Sequence, residues 1–368
     1  MKVLFLITRG DTIGGAQTHV LSLVNLLKCN GHEVLVCYGG EKSGPFGKRL
    51  DINNINHIEM KSLKREISPF KDFISILRFR KLVNKYKPDI VTLHSSKAGV
   101  IGRVSLIFTK FPVLYTVHGW AFTEGINYKK VIFYRSLEKL LALITNKIIV
   151  VSNYDKSISI KHRIISPDKI EVVHNGIPIL KELQPKDTKI YINLVMIARF
   201  DEQKDHESLI RACSTIEKIL VHFLGDGPNL CPMKDLVKEL KIADKFIFYG
   251  YHNNVEQILA KADVFCLISN WEGFPISTLE AMNYSLPVII SNVGGSNEAI
   301  DNNKTGFLVM RGNDVSQIKD CIETLINSEK LRKEMGKAGK EKLKKNFSDH
   351  VMYNKTMEIY SNLLLKKN

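Results

Sequence analysis

The sequence lacks most of the signatures that would settle its class at once. Its six cysteines (Cys29, Cys37, Cys213, Cys231, Cys266 and Cys321) are scattered, with no C-x-x-C and no metal-like spacing with histidine. This excludes a disulfide or metal framework and leads us to expect inert core thiols in a reduced, cytoplasmic protein. No stretch approaches the roughly 20 apolar residues that cross a bilayer. The nearest, LLALITNKIIVV at 140–151, is interrupted by Thr145, Asn146 and Lys147. The opening MKVLFLITRG has too short an apolar run for a signal peptide and reads as a buried first strand. There is no P-loop, and neither half offers G-x-G-x-x-G followed by a ribose-binding acid, which argues against a nicotinamide dehydrogenase. No D-x-D occurs, so no obvious carboxylate pair awaits Mg²⁺ or Mn²⁺. No nucleic-acid motif is present. The aromatics beside basic runs (Phe70, Phe73, Phe79 and Tyr86) fall at helical spacing and are expected in the core.

What is present is an ordinary globular composition in a chain long enough for two α/β domains: 368 residues, 44% hydrophobic and 25% charged. The formal charge of +15 is unevenly distributed. Residues 1–180 hold 27 Lys and Arg against 13 Asp and Glu, a net of +14, whereas 181–368 hold 26 against 25. A one-sided basic domain points to an anionic partner: a membrane surface, a nucleic acid or a phosphorylated substrate.

Short β-branched runs alternate with amphipathic segments through the first half. Strands are predicted at 2–8, 33–38, 57–60, 90–94, 113–118, 147–151 and 170–174, with clear helices at 16–28, 70–86 and 129–145. The segment PILKELQPKDTK, with two prolines and many charges, reads as a linker around 178–190. Alternation restarts with strands at 192–198, 219–225, 246–250, 264–269 and 287–291, and the last 40 or so residues read as two or three helices. Two tandem doubly wound domains follow, with boundaries at 1–180 and 181–345 and a terminal helix over 346–368. Ligands of such sheets sit outside the carboxyl ends of the strands, so two of them suggest a central cleft.

The residues after the strands therefore carry the functional reading. Gly14 and Gly15 directly precede a helix, where backbone can approach an anion; tight-turn geometry alone also explains such a pair. His118 closes the fifth strand, as either a polar contact or a functional imidazole. Ser95, Ser96 and Lys97 fall at a helix start, where hydroxyls cap and a lysine can meet phosphate. Arg199 and Lys204, expected on an exposed loop, would suit a diphosphate as a guanidinium fork plus a point charge. The loop's acids Asp201, Glu202 and Asp205 leave a plain surface loop open. In WEGFPISTLEAM (271–282), Glu272 is placed in a loop, Pro275 in a first helical turn and Glu280 within the helix. A proton-sharing dyad is not expected from carboxylates on different elements. Each can instead accept hydrogen bonds from vicinal hydroxyls, while loop amides and the helix start hold an anion. Phosphates flanked by hydroxyls at both ends describe a nucleotide sugar.

In order and spacing, GGAQTH, TVHGW, VVHNGI, ARFDEQK, FLGDGP, FYGY, EGFPISTLE, VGGSNEAI and TGFLV span the chain. Together they closely resemble the retaining glycosyltransferase family four, of GT-B fold. HSSKAG and HGWAF are similar to bacterial enzymes building O-antigen, capsule or other lipid-linked glycans. The resemblance implies two Rossmann-like domains facing a cleft and a last helix returning to the first. It assigns Arg199 and Lys204 to the donor diphosphate, Glu280 to the ribose and Glu272 to the transferred sugar. The sugar would also meet Gly273, Phe274, Pro275 and Ile276, with His118 opposite. Gly14 and Gly15 would approach phosphate, and Tyr249, Gly250 and Tyr251 the base. Lys97 and Arg103, with Ser95, are candidate acceptor contacts. Ala198 and Asp205 stand where many members have glycine, which leaves that loop's backbone open. No metal or other cofactor is expected, since two cations and a helix dipole can neutralise the leaving group. The expected partners are a nucleotide-sugar donor, with UDP and a hexose or N-acetylhexosamine preferred, and a polyprenyl-diphosphate-linked saccharide. An anionic membrane surface at the inner face of the plasma membrane is also expected, and no nucleic acid. An epimerase or hydrolase of the same fold, and transfer to a soluble acceptor, are the alternatives.

Overall fold

A computed structural model describes residues 1–40, 44–123, 125–181, 191–252, 254–310 and 315–365. Most of the expected linker, 182–190, lies outside the described residues. The chain divides into two compact units, one of 1–178 with 349–368 and one of 179–348.

The first unit runs β1 (Lys2–Ile7), α1 (Gly15–Cys29), β2 (Glu33–Gly39), α2 (Pro45–Ile52), β3 (His57–Met60), α3 (Pro69–Tyr86), β4 (Ile90–His94), α4 (Ser96–Ser105), β5 (Val113–Val117), α5 (Tyr128–Ala142), β6 (Lys147–Val150), α6 (Asn153–Lys161) and β7 (Ile170–Val172). The strands form one parallel sheet in the order β3-β2-β1-β4-β5-β6-β7. The central strands β1, β4 and β5 are buried almost throughout because both faces are covered, whereas the edge strands β3 and β7 carry His57, Glu59 and Glu171. Leu4, Leu6, Val91, Leu93, Tyr115 and Val117 face a core closed by Phe79 and Val83 of α3 and by Ala98 and Ile101 of α4. Val3, Phe5, Ile7, Val34 and Val36 face the other core, with Val20, Leu23, Val24 and Leu27 of α1. That second core takes Met352, Tyr353, Ile359 and Tyr360 from the last helix of the chain, Asp349–Leu365. The C-terminal helix thus returns to the first sheet.

The second unit runs β8 (Ile192–Ile197), α7 (His206–Cys213), β9 (Ile219–Leu224), α8 (Leu230–Glu239), β10 (Phe246–Phe248), α9 (Val255–Lys261), β11 (Val264–Leu267), α10 (Ile276–Asn283), β12 (Val288–Ser291), β13 (Gly306–Val309), α11 (Val315–Ile326) and α12 (Glu329–Asn346); the helix Asp349–Leu365 is then α13. Its parallel sheet has the order β10-β9-β8-β11-β12-β13. The sequence pattern did not mark β13 as a strand. Gly306–Val309 is apolar but only four residues long and opens on glycine, too short a run for its pattern to mark a strand.

Strand order reverses once in each sheet, between β1 and β4 and between β8 and β11. At a reversal the helices on either side depart in opposite directions and leave the carboxyl ends of two neighbouring strands open to a ligand.

Candidate active site

In the second unit, the loops leaving β8 and β11 lie side by side at the reversal. Backbone bonds join them: Asp205 N donates to Ile268 O at 3.0 Å and Asn270 N to Gln203 O at 2.8 Å. Lys204 and Ser269 form an antiparallel bridge. Across this seam the Lys204 ammonium donates to Glu272 Oε1, which also accepts from Ser269 Oγ at 2.7 Å. Gln203 Nε2 donates to Trp271 O at 2.8 Å and to Glu272 Oε2 at 3.3 Å. Side-chain exposure is 12% for Lys204 and 7% for Glu272. Lys204 is therefore not on an exposed loop as its sequence context implied, because the neighbouring strand-end loop covers it. Arg199 is 57% exposed and pairs with Asp201 at 2.7 Å.

Two glycines let the surrounding loops close on this seam. Gly225 has φ +145°, and a Cβ there would stand 1.9 Å from Ala198 O. Gly294 has φ +55°, with its Cβ position 1.9 Å from Glu272 O. The two replaced glycines need no such freedom. Asp205 has φ −95° and caps α7 by accepting from Ser208 N at 3.0 Å. Ala198 is built into the loop by its N–H bond to Leu224 O.

Glu280 lies on α10, apart from Glu272, and the two carboxylates share no hydrogen bond. Burial, with Glu256 nearby, pushes the Glu280 carboxyl up to about 7. It makes no hydrogen bond to any described residue, so its oxygens are free to accept from a ligand. Pro275 is the N-cap of α10 rather than part of its first turn. Phe274 turns its ring inward onto Phe347 at 5.0 Å, and Ile276 is buried. At the end of β10, the Tyr249 hydroxyl meets His222 Nδ1 at 3.0 Å, Gly250 O accepts from Gly225 N at 2.9 Å, and Tyr251 is exposed.

In the first unit, Gly14 is the N-cap of α1 and Gly15 its first residue. Three imidazoles meet at the strand ends. His118 Nε2 lies 3.1 Å from His94 Nδ1, and His94 Nε2 lies 3.1 Å from Thr92 Oγ1. His19 of α1 stands edge-on to His118, with ring centroids 4.9 Å apart, and its Nδ1 meets Asn175 Oδ1 at 3.0 Å. Burial holds all three below the usual histidine value, His19 at about 4 and the other two well below, so they are neutral at pH 7. His19, His94 and Asn175 fall on the motifs GGAQTH, HSSKAG and VVHNGI, yet nothing in their spacing could announce that they converge.

Ser95 is the N-cap of α4 with φ +79°, but its hydroxyl caps nothing. Its Oγ meets Thr8 Oγ1 at 2.6 Å, and it is Thr8 Oγ1 that accepts from Ala98 N in the first turn. Lys97 donates to Asp72 Oδ2 and to Glu66 O, both at 2.7 Å, tying α4 to the segment entering α3. The structure removes Arg103 from the acceptor contacts. It is fully buried, donates to both Glu138 oxygens at 2.8 and 3.1 Å and to Gly99 O at 2.7 Å, and stacks over Tyr115. An arginine two turns into a helix faces the neighbouring helix, here α5, which supplies the buried carboxylate.

Among the described residues, His19, His94 and His118 form a group whose ligand atoms lie within 4.8 Å of one another. Four of their nitrogens are already committed to Thr92, Asn175 or each other. A divalent ion bound by all three would have to break the His94–His118 bond and bring its charge into a buried site with no carboxylate in the group.

Solved structures of the same fold include that of Anabaena Alr3699/HepE in complex with UDP and glucose, matched with a TM-score of 0.84 at 18% identity, over 98% of this chain and 99% of that one. WaaG, a glycosyltransferase involved in lipopolysaccharide biosynthesis, aligns with a TM-score of 0.75 at 16% identity, over 97% and 99% of the two chains. Two parallel-sheet Rossmann-like units with these neighbours define a GT-B glycosyltransferase fold. A family model described as Glycosyltransferase Family 4 matches residues 13–179, and one described as Glycosyl transferases group 1 matches 180–342. An Escherichia coli UDP-Gal:alpha-D-GlcNAc-diphosphoundecaprenol alpha-1,3-galactosyltransferase is 30% identical over 96% of this chain and 95% of its own. The Staphylococcus aureus capsular polysaccharide biosynthesis glycosyltransferase CapM is 30% identical over 85% and 86%. The chain belongs to the family-four glycosyltransferases and is a glycosyltransferase.

Proposed function

We propose that this enzyme transfers a hexose or N-acetylhexosamine, with retention, from a UDP-sugar to a polyprenyl-diphosphate-linked saccharide in the assembly of a surface polysaccharide. The observation that carries the donor half is the strand-end seam of the second unit, where Lys204 and Glu272 are held together beside an exposed Arg199, with Glu280 left without a protein partner. Arg199 and Lys204 take the diphosphate, Glu280 the ribose hydroxyls and Glu272 the sugar hydroxyls. Gly14 and Gly15 approach phosphate, and His118 contacts the sugar. An acceptor hydroxyl attacks the anomeric carbon from the face the diphosphate leaves. Its oxygen forms the new bond, the old C–O electrons pass to the diphosphate, and the hydroxyl proton follows them. The cations and the start of α10 stabilise the developing charge, so turnover is expected to persist in EDTA.

The acceptor half follows the relatives, the E. coli one being named for a diphosphoundecaprenol-linked substrate. The first unit supports it with two helix faces that are at once apolar and basic. Phe70, Phe73 and Leu77 are exposed along α3, and Tyr128, Ile132 and Phe133 along α5, so the expectation of a core role holds for Phe79 but not for Phe70 or Phe73. We assign these faces to an anionic bilayer. A panel of nucleotide sugars offered with a short-chain polyprenyl-diphosphate saccharide tests the whole reading. UDP-sugar-dependent extension with retained anomeric configuration is expected. Donor hydrolysis or epimerisation with no product on the lipid overturns it.

A further inference from the structure

The loop that leaves β3 crosses the strand ends of the first sheet. Leu63 is fully buried, and a side chain at Gly39 would run into the carbonyls of both Leu63 and Thr8, so this part of the loop lies against the ends of β2 and β1. Further along, Glu66 O accepts from Lys97 Nζ at 2.7 Å, which ties the loop to α4 just after β4. The three steps from Leu63 to Glu66 span at most about 10 Å. Lys64 and Arg65, between the two anchors, therefore stand at the β1–β4 reversal, where a doubly wound sheet takes its ligand. Both are exposed, and among the described residues neither makes an ion pair or a side-chain hydrogen bond. We propose that Lys64 and Arg65 bind the diphosphate of a prenyl-linked acceptor, an assignment that rests on the polyprenyl-diphosphate reading above.

The acids around the loop are already spent. Asp11 accepts from Arg9 through two bonds of 3.0 Å, and Asp72 is paired with Lys97. Those bonds from Arg9 and, more distantly, the charge of Arg65 hold the Asp11 carboxyl below the usual carboxylate range, which sets the β1 exit beside this loop. Within the loop, Glu66 alone stands against Lys61, Lys64 and Arg65. A guanidinium fork and an ammonium point charge suit the two phosphates of a diphosphate. Lys97, its ammonium occupied by Asp72 and by the Glu66 carbonyl, is a positioning residue for the loop rather than a ligand contact. The hydrocarbon part of the ligand follows from what comes next in the chain. Ile67 at 70% exposure leads directly into Phe70 and Phe73 on α3. Cations followed at once by exposed apolar side chains match an amphiphile whose hydrocarbon is joined directly to its diphosphate. A free phosphate or a nucleotide would leave that apolar strip unused.

Titration calorimetry of the full chain with farnesyl diphosphate, beside UDP, tests the site. Wild type should bind farnesyl diphosphate but not farnesol. Lys64→Ala and Arg65→Ala should each weaken that binding about tenfold, and Arg65→Lys less. Both alanine variants should keep the wild-type melting temperature and UDP affinity, since neither side chain is buried. Lys85→Ala, which removes an exposed cation from the last turn of α3, should leave farnesyl diphosphate binding unchanged. An equal loss in Lys85→Ala would mean a diffuse positive field and would overturn the site. Alanine variants that keep their farnesyl diphosphate affinity but lose anionic vesicles would show that the loop reads bilayer headgroups, and would overturn it too. Wild type that binds UDP but no farnesyl diphosphate overturns the acceptor reading together with this site, whereas binding indifferent to Lys64 and Arg65 overturns this site alone.

Discussion

Glu280 is a carboxylate in a place that disfavours its charge. Burial raises it from 4.5 to about 7, with Glu256 adding to the effect. The folded state therefore holds a proton that the unfolded chain releases from about pH 4.5 upward. Stability contributed by that proton is complete below pH 4.5, declines through the window to 7, and is absent above it. Glu280→Gln should raise the melting temperature at pH 8, by roughly 1–3 kcal/mol of stability, and leave it unchanged at pH 4. Nucleoside diphosphate binding should run the other way. The ionised carboxylate is the better acceptor for ribose hydroxyls, so calorimetric affinity should fall as pH drops from 8 to 6 in wild type but not in Glu280→Gln. Equal pH profiles for both proteins would remove Glu280 from the ribose.

Arg199 and Lys204, neighbours in sequence, should separate in experiment. Arg199 is exposed and, among the described residues, paired with Asp201 alone, so Arg199→Ala should leave the melting temperature within the scatter of surface substitutions while turnover falls about 10²- to 10³-fold. Lys204 is held at the seam, and removing it leaves Glu272 with Ser269 and Gln203 alone. Lys204→Ala should therefore lose turnover and also destabilise by about 2–4 kcal/mol. Thermal melts beside steady-state rates distinguish the two, and an Arg199→Ala enzyme at wild-type rate would refute the diphosphate assignment.

At the scale of elements, the loops of the candidate site are held by backbone contacts between segments remote in sequence. Gly294 has φ +55°, and a Cβ there would stand 1.9 Å from the Glu272 carbonyl oxygen. Gly294→Ala combines left-handed strain with a clash and should cost about 1–3 kcal/mol while displacing Glu272, seen as a lower melting temperature together with a lower kcat. This contact also marks where sequence reading stops. The central strands of both sheets were legible because a parallel strand covered on both faces is an uninterrupted apolar run, as in Val3–Ile7 and Val264–Leu267, whereas β13 was not. The candidate site residues follow such runs, which is how Glu272, Arg199 and His118 came to be singled out. Partners were not. Nothing local reveals that Glu138 would take Arg103 into the core, that Asp72 and Glu66 would hold Lys97, or that His19 and Asn175 would meet beside His118. Helical spacing likewise gave α3 an apolar stripe without saying that Phe79 faces the sheet while Phe70 and Phe73 face out.

At the scale of the whole molecule, charge and apolar exposure coincide. Residues 1–180 carry a net +14 and the remainder +1. Within the first unit α3 packs on α4, which packs on α5. The single acid of α3, Asp72, is paired with Lys97, and the single acid of α5, Glu138, is buried with Arg103. The exposed faces of the two helices thus present cations such as Lys71, Arg78, Lys81, Lys129 and Lys130 around unpaired aromatics, Phe70 at 75% and Phe73 at 58% exposure. No described helix is long and apolar enough to cross a membrane. A surface of this kind suits the boundary of an anionic bilayer, where each cation contributes about 1 kcal/mol within a Debye length and each buried side chain adds a share of its transfer energy. Vesicle co-sedimentation should show binding that requires anionic lipid and weakens with salt. Replacing Phe70 and Phe73 by serine should release the protein at salt concentrations the wild type withstands, because the apolar part of the attachment is not screened. The same variant should keep its melting temperature, since neither ring is buried, and its rate on a short, water-soluble acceptor. Binding to neutral vesicles as tight as to anionic ones would contradict the charge argument. Attachment indifferent to both phenylalanines would place the contact elsewhere.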